Sequence, residues 1–350
     1  KHAAELKNEL QKNIDIWHTL KLELGNNNIY ESSRLKDVDE CRISNTNDAI
    51  SLFFRYLKKE TDKYIEKKGY PKDIEYAICI PAAFKEKQRK QLLTCIKMAG
   101  IATDTNPFID EPIAAFINYM FENKGKAIAL DSVKNLMVVD IGAGTCDISI
   151  FEIGDNDNGI YAKNLSITQY GNIGGEKLDY LLAKKIFKNK FHINENENSI
   201  NNRQLISIAE ELKRKLCRTI DVDENDHYKL PLCAYSDLPE YLPEHRYNRN
   251  IERVGITYKE FNEVMEEYCG FSHKNNSSIS ASINGALRKA DLDISEINYV
   301  LLTGGGSRNP YFKSILAREF KNAQLLIPDN IQEHVAGGTA IHSLILNAFG

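Results

Sequence analysis

The stretch Met137-Val138-Val139-Asp140-Ile141-Gly142-Ala143-Gly144-Thr145-Cys146-Asp147-Ile148-Ser149-Ile150 constrains the fold more than any other. An apolar run ends in an aspartate. A tight Gly-Ala-Gly-Thr turn follows, and a second aspartate opens another apolar run. The pattern predicts strand, sharp turn, strand. Glycines reach φ > 0 and bring backbone N–H groups close to an anion. Asp140 and Asp147 bracket the turn, where they are placed to hold Mg²⁺ or to orient a water beside a phosphate. A Walker loop needs Gly-x-x-x-x-Gly-Lys-Ser/Thr opening a helix, and no such run occurs. The hairpin is a candidate nucleotide site of another kind; the plain alternative is an ordinary glycine-rich turn.

Length and charge narrow the class. A chain of 350 residues can bury two cores. Lys+Arg number 45 against Asp+Glu 49, a net charge of -4, so no positive field exists to drive nucleic-acid binding. The longest apolar runs are strand-sized, well short of a membrane span. The seven cysteines are scattered without a Cys-x-x-Cys pair, and the eight histidines lack metal spacing. This points to reduced thiols and a cytoplasmic location. The chain begins at Lys1 without a methionine, so targeting stays open.

Helices and strands alternate along the chain. Residues 1–20 and Thr46 to Lys68 carry helical spacing, and Tyr76–Ile80 is a short apolar strand closed by Pro81. Phe84–Met98 is expected to be helical and to end at Gly100. Asp110-Glu111-Pro112 opens a helix over Ile113–Glu122. After the hairpin come a strand at Leu165–Tyr170, a glycine turn at Gly171–Gly175 and a helix to Lys190. His192–Asn202 is rich in Asn and Glu and reads as a loop, and Asn201–Cys217 as a helix. Tyr235–Arg253 looks like an irregular excursion. Thr257-x-x-Glu260 is a capping box, and Ser277–Ala290 is helical. A strand at Tyr299–Leu302 precedes a helix after Pro310 and a last helix at Val335–Leu346. The alternation argues for an α/β architecture with mixed sheets.

A second glycine element follows an apolar strand: Thr303-Gly304-Gly305-Gly306-Ser307-Arg308. Glycines there let a flat ring lie against backbone, and Arg308 is able to stack on an adenine face. The alternative is a tight strand-to-helix link with a solvated arginine.

The order of these motifs resembles the nucleotide-binding domain of DnaK-type 70-kDa heat-shock chaperones, within the actin-like ATPase superfamily. The matching runs are Ile80-Pro81-Ala82-Ala83-Phe84 with Gln88-Arg89; Asp110–Ala115; Asp140–Asp147; Gly174-Gly175-Glu176-Lys177-Leu178-Asp179; Glu210–Arg214; Gly304–Pro310; and Glu333-His334-Val335-Ala336 with Gly338. The resemblance implies an actin-like (ribonuclease H-like) two-lobed α/β fold with mixed sheets, its lobes facing across a nucleotide cleft. Lobe I would be 1–130, N-terminally truncated. Lobe II would be 131–350, with subdomain IIA at 131–172 and 276–350 and subdomain IIB at 173–275.

Roles follow residue by residue as the resemblance implies them. Glu111 is similar to the cleft glutamate that serves the metal shell and positions water. Asp140 and Asp147 resemble the pair that orders Mg²⁺-bound waters and the attacking water. Gly142, Ala143, Gly144 and Thr145 resemble the γ-phosphate turn, and Gly174-Gly175 the bend that brings backbone to the phosphates. Glu210, Lys213 and Arg214 share a helix face. They resemble the ribose and adenine contacts, with Arg214 and Arg308 sandwiching the base over Gly304, Gly305 and Gly306. The plain alternative for that trio is a solvated charged face. Lys21, in Leu20–Gly25, resembles the lysine that contacts the γ-phosphate, or is an exposed helix lysine.

The departures are specific. Ala143 puts a Cβ in the phosphate turn. Cys146 replaces an aromatic residue. Cys217 stands where a serine usually bonds the base, and Gln332 where an aspartate is usual. The family's first hairpin, an Asp-x-Gly-Thr-Thr run, is absent before residue 140. The expectation is a chaperone-like ATPase domain with ATP/ADP and Mg²⁺ as cofactors, working with a co-chaperone or nucleotide-exchange factor and an unknown client. Little hydrolysis is expected of these 350 residues alone. The alternatives are a non-hydrolysing pseudo-ATPase module and an actin-like filament former.

Overall fold

The computed structural model describes residues 10–101, 108–123, 128–157, 159–171, 173–186, 203–218, 221–222, 228–229, 233–237, 253–272, 277–331 and 333–349. Contacts divide the chain into two units: residues 1–114 with 339–350, and residues 115–338. The boundaries fall inside two helices, α3 (Glu111–Glu122) and α9 (His334–Phe349). The sequence-based division, by contrast, sets lobe I against lobe II at 130/131.

In the first unit, β1 (Ile78–Ile80) and β2 (Phe108–Asp110) pair in parallel, with Ile80 opposite Asp110. Helices α1 (Thr46–Lys68) and α2 (Glu86–Met98) pack over them. Asn45 caps α1, its side chain accepting from the Asp48 N–H, and Gly69 ends it at φ 68. A small core forms from Leu24, Ile50, Ile80, Phe84, Leu92, Cys95 and Ile96. A satellite gathers Tyr30, Ile43 and Ala49, with Trp17 and Leu35 against it.

Residues 10–19 are not helical, contrary to their spacing. The chain turns back on itself, with a Lys12–Ile16 bridge, and the Asn13 N–H donates to the Ile16 carbonyl at 2.8 Å. Asn13 and Thr19 adopt left-handed φ values of 62° and 57°, which a helix cannot hold. Residues 1–9 lie outside the described part.

The second unit is built on a sheet of order β11-β10-β3-β4-β5. Its strands are β3 (Lys134–Ile141), β4 (Thr145–Asn156), β5 (Gly159–Gly171), β10 (Tyr299–Thr303) and β11 (Gln324–Leu326). β3, β4 and β5 form an antiparallel meander, whereas β10 runs parallel to both β3 and β11. β5 is longer than its apolar run because its polar first half pairs fully with β4. Met137, Val139, Ile141, Ile148 and Ile150 point from one face into the main core. There they meet α4 (Gly175–Ile186), α5 (Arg203–Arg218), α6 (Tyr258–Cys269), α7 (Ile279–Ala290) and α8 (Pro310–Glu319). The Thr257/Glu260 capping box opens α6 as its sequence predicts. Two short strands beyond α5, β6 (Asp221–Val222) and β7 (Tyr228–Lys229), pair antiparallel. The ends of the expected excursion, Tyr235–Asp237 and Arg253, are ordered as paired strands β8 (Cys233–Asp237) and β9 (Arg253–Thr257). Residues 187–202 and 238–252 lie outside the description, as does the loop expected at His192–Asn202.

At the first turn of α9, His334 is buried. Its Nε2 is 2.9 Å from the Ala115 carbonyl, which only accepts, so Nε2 carries the proton. Nδ1 then accepts from Asn118 at 2.7 Å, and the same amide donates to Glu122 at 2.7 Å. The neutral ring is fully satisfied. Burial pushes its pKa below the ordinary value, against the opposing pull of Glu122 and the Ala115 carbonyl. The folded state therefore binds fewer protons than the unfolded chain below about pH 6.5, and stability falls as pH drops through that window. Thermal unfolding between about pH 7 and pH 5 checks this. His334→Gln, which cannot titrate, should show a shallower pH dependence than wild type.

Candidate functional site

Asp140 and Asp147 are direct cross-strand partners at the end of the β3–β4 hairpin. Partners in register project to the same side, here the side opposite Met137, Val139 and Ile141. Two carboxylates placed this way repel unless a cation lies between or beside them. Thr145 adds a hydroxyl, 3.4 Å from Asp147 Oδ2. Among the described residues no group of three His, Cys, Asp or Glu forms a closed metal cage. Two carboxylates and a hydroxyl, all hard oxygen donors, do fit Mg²⁺, which usually takes one or two carboxylates and otherwise keeps waters or phosphate oxygens.

Two further glycine turns, distant in sequence, close on this hairpin. The Gly175 N–H donates to the Gly142 carbonyl at 3.0 Å and the Glu176 N–H to the Ala143 carbonyl at 2.7 Å. A Cβ on Gly174 would lie 2.5 Å from the Ala143 oxygen. A Cβ on Gly304 would strike Asp140 Oδ1, and one on Gly306 would strike Ile141 Cγ2. Gly304 also sits at φ 77, a conformation that disfavours any Cβ. Only glycine lets three chain segments approach so closely. Ala143 is exposed, so the family departure at this position costs no packing. The Gly142 N–H is already used, donating to the Thr145 carbonyl at 3.0 Å. Gly142 and Gly175 therefore shape the cradle through their own bonds.

On α5, Arg214 reaches Glu210 at 2.6 Å, as the shared face predicts. Lys213 turns instead to Asp179 on α4, at 2.6 Å. This pair is largely buried, and the Lys213 ammonium lies 3.9 Å from the position of a Gly175 Cβ. Asp179 was visible only as a motif letter, because its partner comes from another helix. Cys217, one turn beyond Lys213, has its thiol pushed up to about 11 by burial, although Lys213 pulls the other way. It stays a protonated, weak donor. Arg308 is exposed at the end of the glycine turn.

The first unit holds the other site residues. Lys21 lies in a single 3-10 turn, Leu20–Leu22, and its ammonium is 3.2 Å from Glu111. Arg89 braces this region. It donates to the carbonyls of Phe84 and Ala82 at 3.0 and 3.4 Å, and pairs with Asp110 at 2.9 Å. The residue next to Asp110 is Glu111, so Arg89 fixes where α3 begins. The half-buried Cys79 thiol is raised by burial and by the Glu111 charge, with Thr339 opposing. The candidate residues thus form two groups, one in each unit. Gln332 lies outside the described residues.

Glycine turns that close around paired carboxylates make a candidate phosphate site and leave the class of protein open. Comparison narrows it. The sequence pattern of the family described as Hsp70 protein matches residues 8–349. The chaperone protein dnaK of Cyanidium caldarium is 26% identical over 328 residues, covering 92% of this chain and 46% of that protein. The chaperone protein DnaK of Mycoplasma mobile is 25% identical over 348 residues, covering 97% and 50%. A heat shock protein 70 homolog of Acanthamoeba polyphaga mimivirus is 28% identical over 311 residues, covering 85% and 28%. The chain belongs to the Hsp70 family, as a divergent form of its nucleotide-binding domain with the actin-like ATPase fold. It spans half or less of the length of these relatives.

The glycine cradle makes a paired prediction. Gly174→Ala should destabilise the fold by ~1–3 kcal/mol, the usual cost of overpacking. Gly305→Ala, with nothing within 4 Å of its Cβ, should stay within about 0.5 kcal/mol of wild type. Urea unfolding of both variants checks the contrast.

Proposed function

We propose that this chain binds ATP and ADP with Mg²⁺ and forms the nucleotide-binding part of a chaperone-like ATPase. The observation that carries the reading is the closure of the Gly174 and Gly304–Gly306 turns around Asp140, Asp147 and Thr145. Phosphoryl transfer asks little covalent chemistry of a protein and much positioning and charge. In this reading Ala143, Gly144 and Thr145 offer backbone to the terminal phosphate. Asp140 and Asp147 hold the waters of Mg²⁺, which would neutralise charge developing on the phosphate oxygens. Glu111 orients the attacking water and Lys21 brings positive charge to the γ-phosphate. Glu210, Lys213, Arg214, Cys217 and Arg308 receive ribose and adenine, with Lys213 held by Asp179.

The division into lobe I at 1–130 and lobe II at 131–350 belongs to the same proposal. So do a cytoplasmic location, consistent with the free thiols of Cys41, Cys79, Cys95, Cys146, Cys217 and Cys269, and action with a co-chaperone or exchange factor on a client. No helix among the described residues is long and apolar enough to cross a membrane.

Steady-state phosphate release by the intact protein tests the reading. Glu111→Gln and Asp140→Asn should each lower turnover by about 10²-fold, the usual effect of removing one preorganised electrostatic group. Nucleotide affinity should change far less. Wild-type turnover in either variant would remove that residue from the mechanism.

A further inference from the structure

The segment Leu20–Gly25 carries Lys21 but has no regular element to hold it beyond one 3-10 turn. Leu20 and Leu24 pack into the neighbouring cores, an attachment without direction. Beyond the Lys21–Glu111 pair, two directional contacts to other segments supplement them. One is the Gly25 N–H, which donates to Gln91 Oε1 at 2.5 Å, while the Gln91 amide donates to Asn47 at 2.7 Å. The other is Glu23, two residues after Lys21. Glu23 is buried, its side chain 10% exposed, beside Tyr30, a member of the small satellite core.

A buried carboxylate is costly unless several donors meet it. Here the Tyr30 hydroxyl donates to Glu23 Oε2 at 2.5 Å and the Asn28 amide to the same oxygen at 3.2 Å. Lys12 lies 3.5 Å from Oε1. Tyr30 is itself buried and is 3.3 Å from the Thr46 hydroxyl at the start of α1. Burial works to raise the Glu23 pKa, but the bonds from Tyr30, Asn28 and Lys12 outweigh it and the carboxylate stays charged. The same arrangement raises the Tyr30 hydroxyl, through burial first and the Glu23 bond second. Apolar packing alone would have filled this corner with a leucine. A charged, multiply bonded group instead fixes the rotation of the turn, and so the direction in which the Lys21 stem leaves it.

We infer that Glu23, clamped by Tyr30, is a positioning residue for Lys21: it aims the ammonium at the phosphate end of the bound nucleotide. This rests on the proposed function, in which Lys21 faces the γ-phosphate. Neither Glu23 nor Tyr30 is assigned a nucleotide contact in the proposed function. Removing either should leave base binding intact and disturb only the lysine.

An acyl-phosphate derivative of ATP reads this directly, because the amine nearest the γ-phosphate attacks the acyl carbonyl and ATP leaves. The labelling rate at Lys21 is measured by mass spectrometry, with adenosine affinity measured in parallel by calorimetry. Wild type should label at Lys21. Glu23→Ala should label about tenfold more slowly, the scale of one hydrogen bond to a charged group. Tyr30→Phe, which removes a single oxygen and keeps the ring in the core, should slow labelling in the same direction. Glu23→Gln, whose carbonyl oxygen still accepts from Tyr30, should recover most of the rate. Adenosine affinity should stay at the wild-type value throughout. Unchanged Lys21 labelling in both Glu23→Ala and Tyr30→Phe would overturn the positioning role while leaving the proposed function standing. Absence of Lys21 labelling in a wild-type protein that binds ATP would instead overturn the phosphate assignment of Lys21, and this inference with it.

Discussion

Two short backbone hydrogen bonds, from the Gly175 and Glu176 N–H groups to the Gly142 and Ala143 carbonyls, dock the start of α4 onto the β3–β4 turn. They form only because Gly174 has no Cβ to strike the Ala143 oxygen. On the other side, Gly304 and Gly306 let the end of β10 press against Asp140 and Ile141 in the same way. β10 is also hydrogen-bonded to β3 in parallel, with Thr303 opposite Asp140. The sheet register and the glycine contacts therefore fix one point between them. That point is where two aspartates emerge on one side of the sheet while the core seals the other. Side chains in such a place would have filled the space; glycines leave it to backbone and to a ligand.

Charge follows the same economy. Asp140 and Asp147 lie opposite one another across two strands and gather negative charge at one point. In the first unit Glu111 is met by Lys21, and Asp110 by Arg89. Three of the candidate site elements are held by a group to which no ligand contact is assigned: Arg89 pairs with Asp110 at the start of α3, Asp179 pairs with Lys213, and Glu23 lies in the turn that carries Lys21. Under the proposed function such a second layer matters, because phosphoryl transfer is sensitive to small misplacements of charge.

The cradle itself was legible in the sequence. Gly142–Thr145, Gly174-Gly175 and Gly304–Gly306 each follow or precede an apolar run, and glycine in such a place marks a tight turn or a close approach of backbone. The helices α1, α6 and α8 were legible too, because periodicity, caps and Pro310 agreed. What was hidden depends on partners far apart in the chain. The Lys213–Asp179 pair joins two helices, and the Glu23–Tyr30 clamp lies in a segment without periodicity. His334 stood in its motif without announcing Asn118 as its partner. Residues 10–19 misled for a local reason. Ile14 and Trp17 mimic helical spacing, while Asn13 and Thr19 turn the chain left-handed.

The central claim is that nucleotide phosphates sit against the glycine cradle of the second unit. Amide chemical shifts of the isotope-labelled protein during titration with Mg²⁺ and ADP test it most directly. The account predicts saturable shifts at Ala143, Gly144, Thr145 and Gly304–Gly306, with Asp155–Asp157, at the exposed far end of β4, unmoved. ADP binding that shifts residues elsewhere and leaves those cradle amides in place would contradict it.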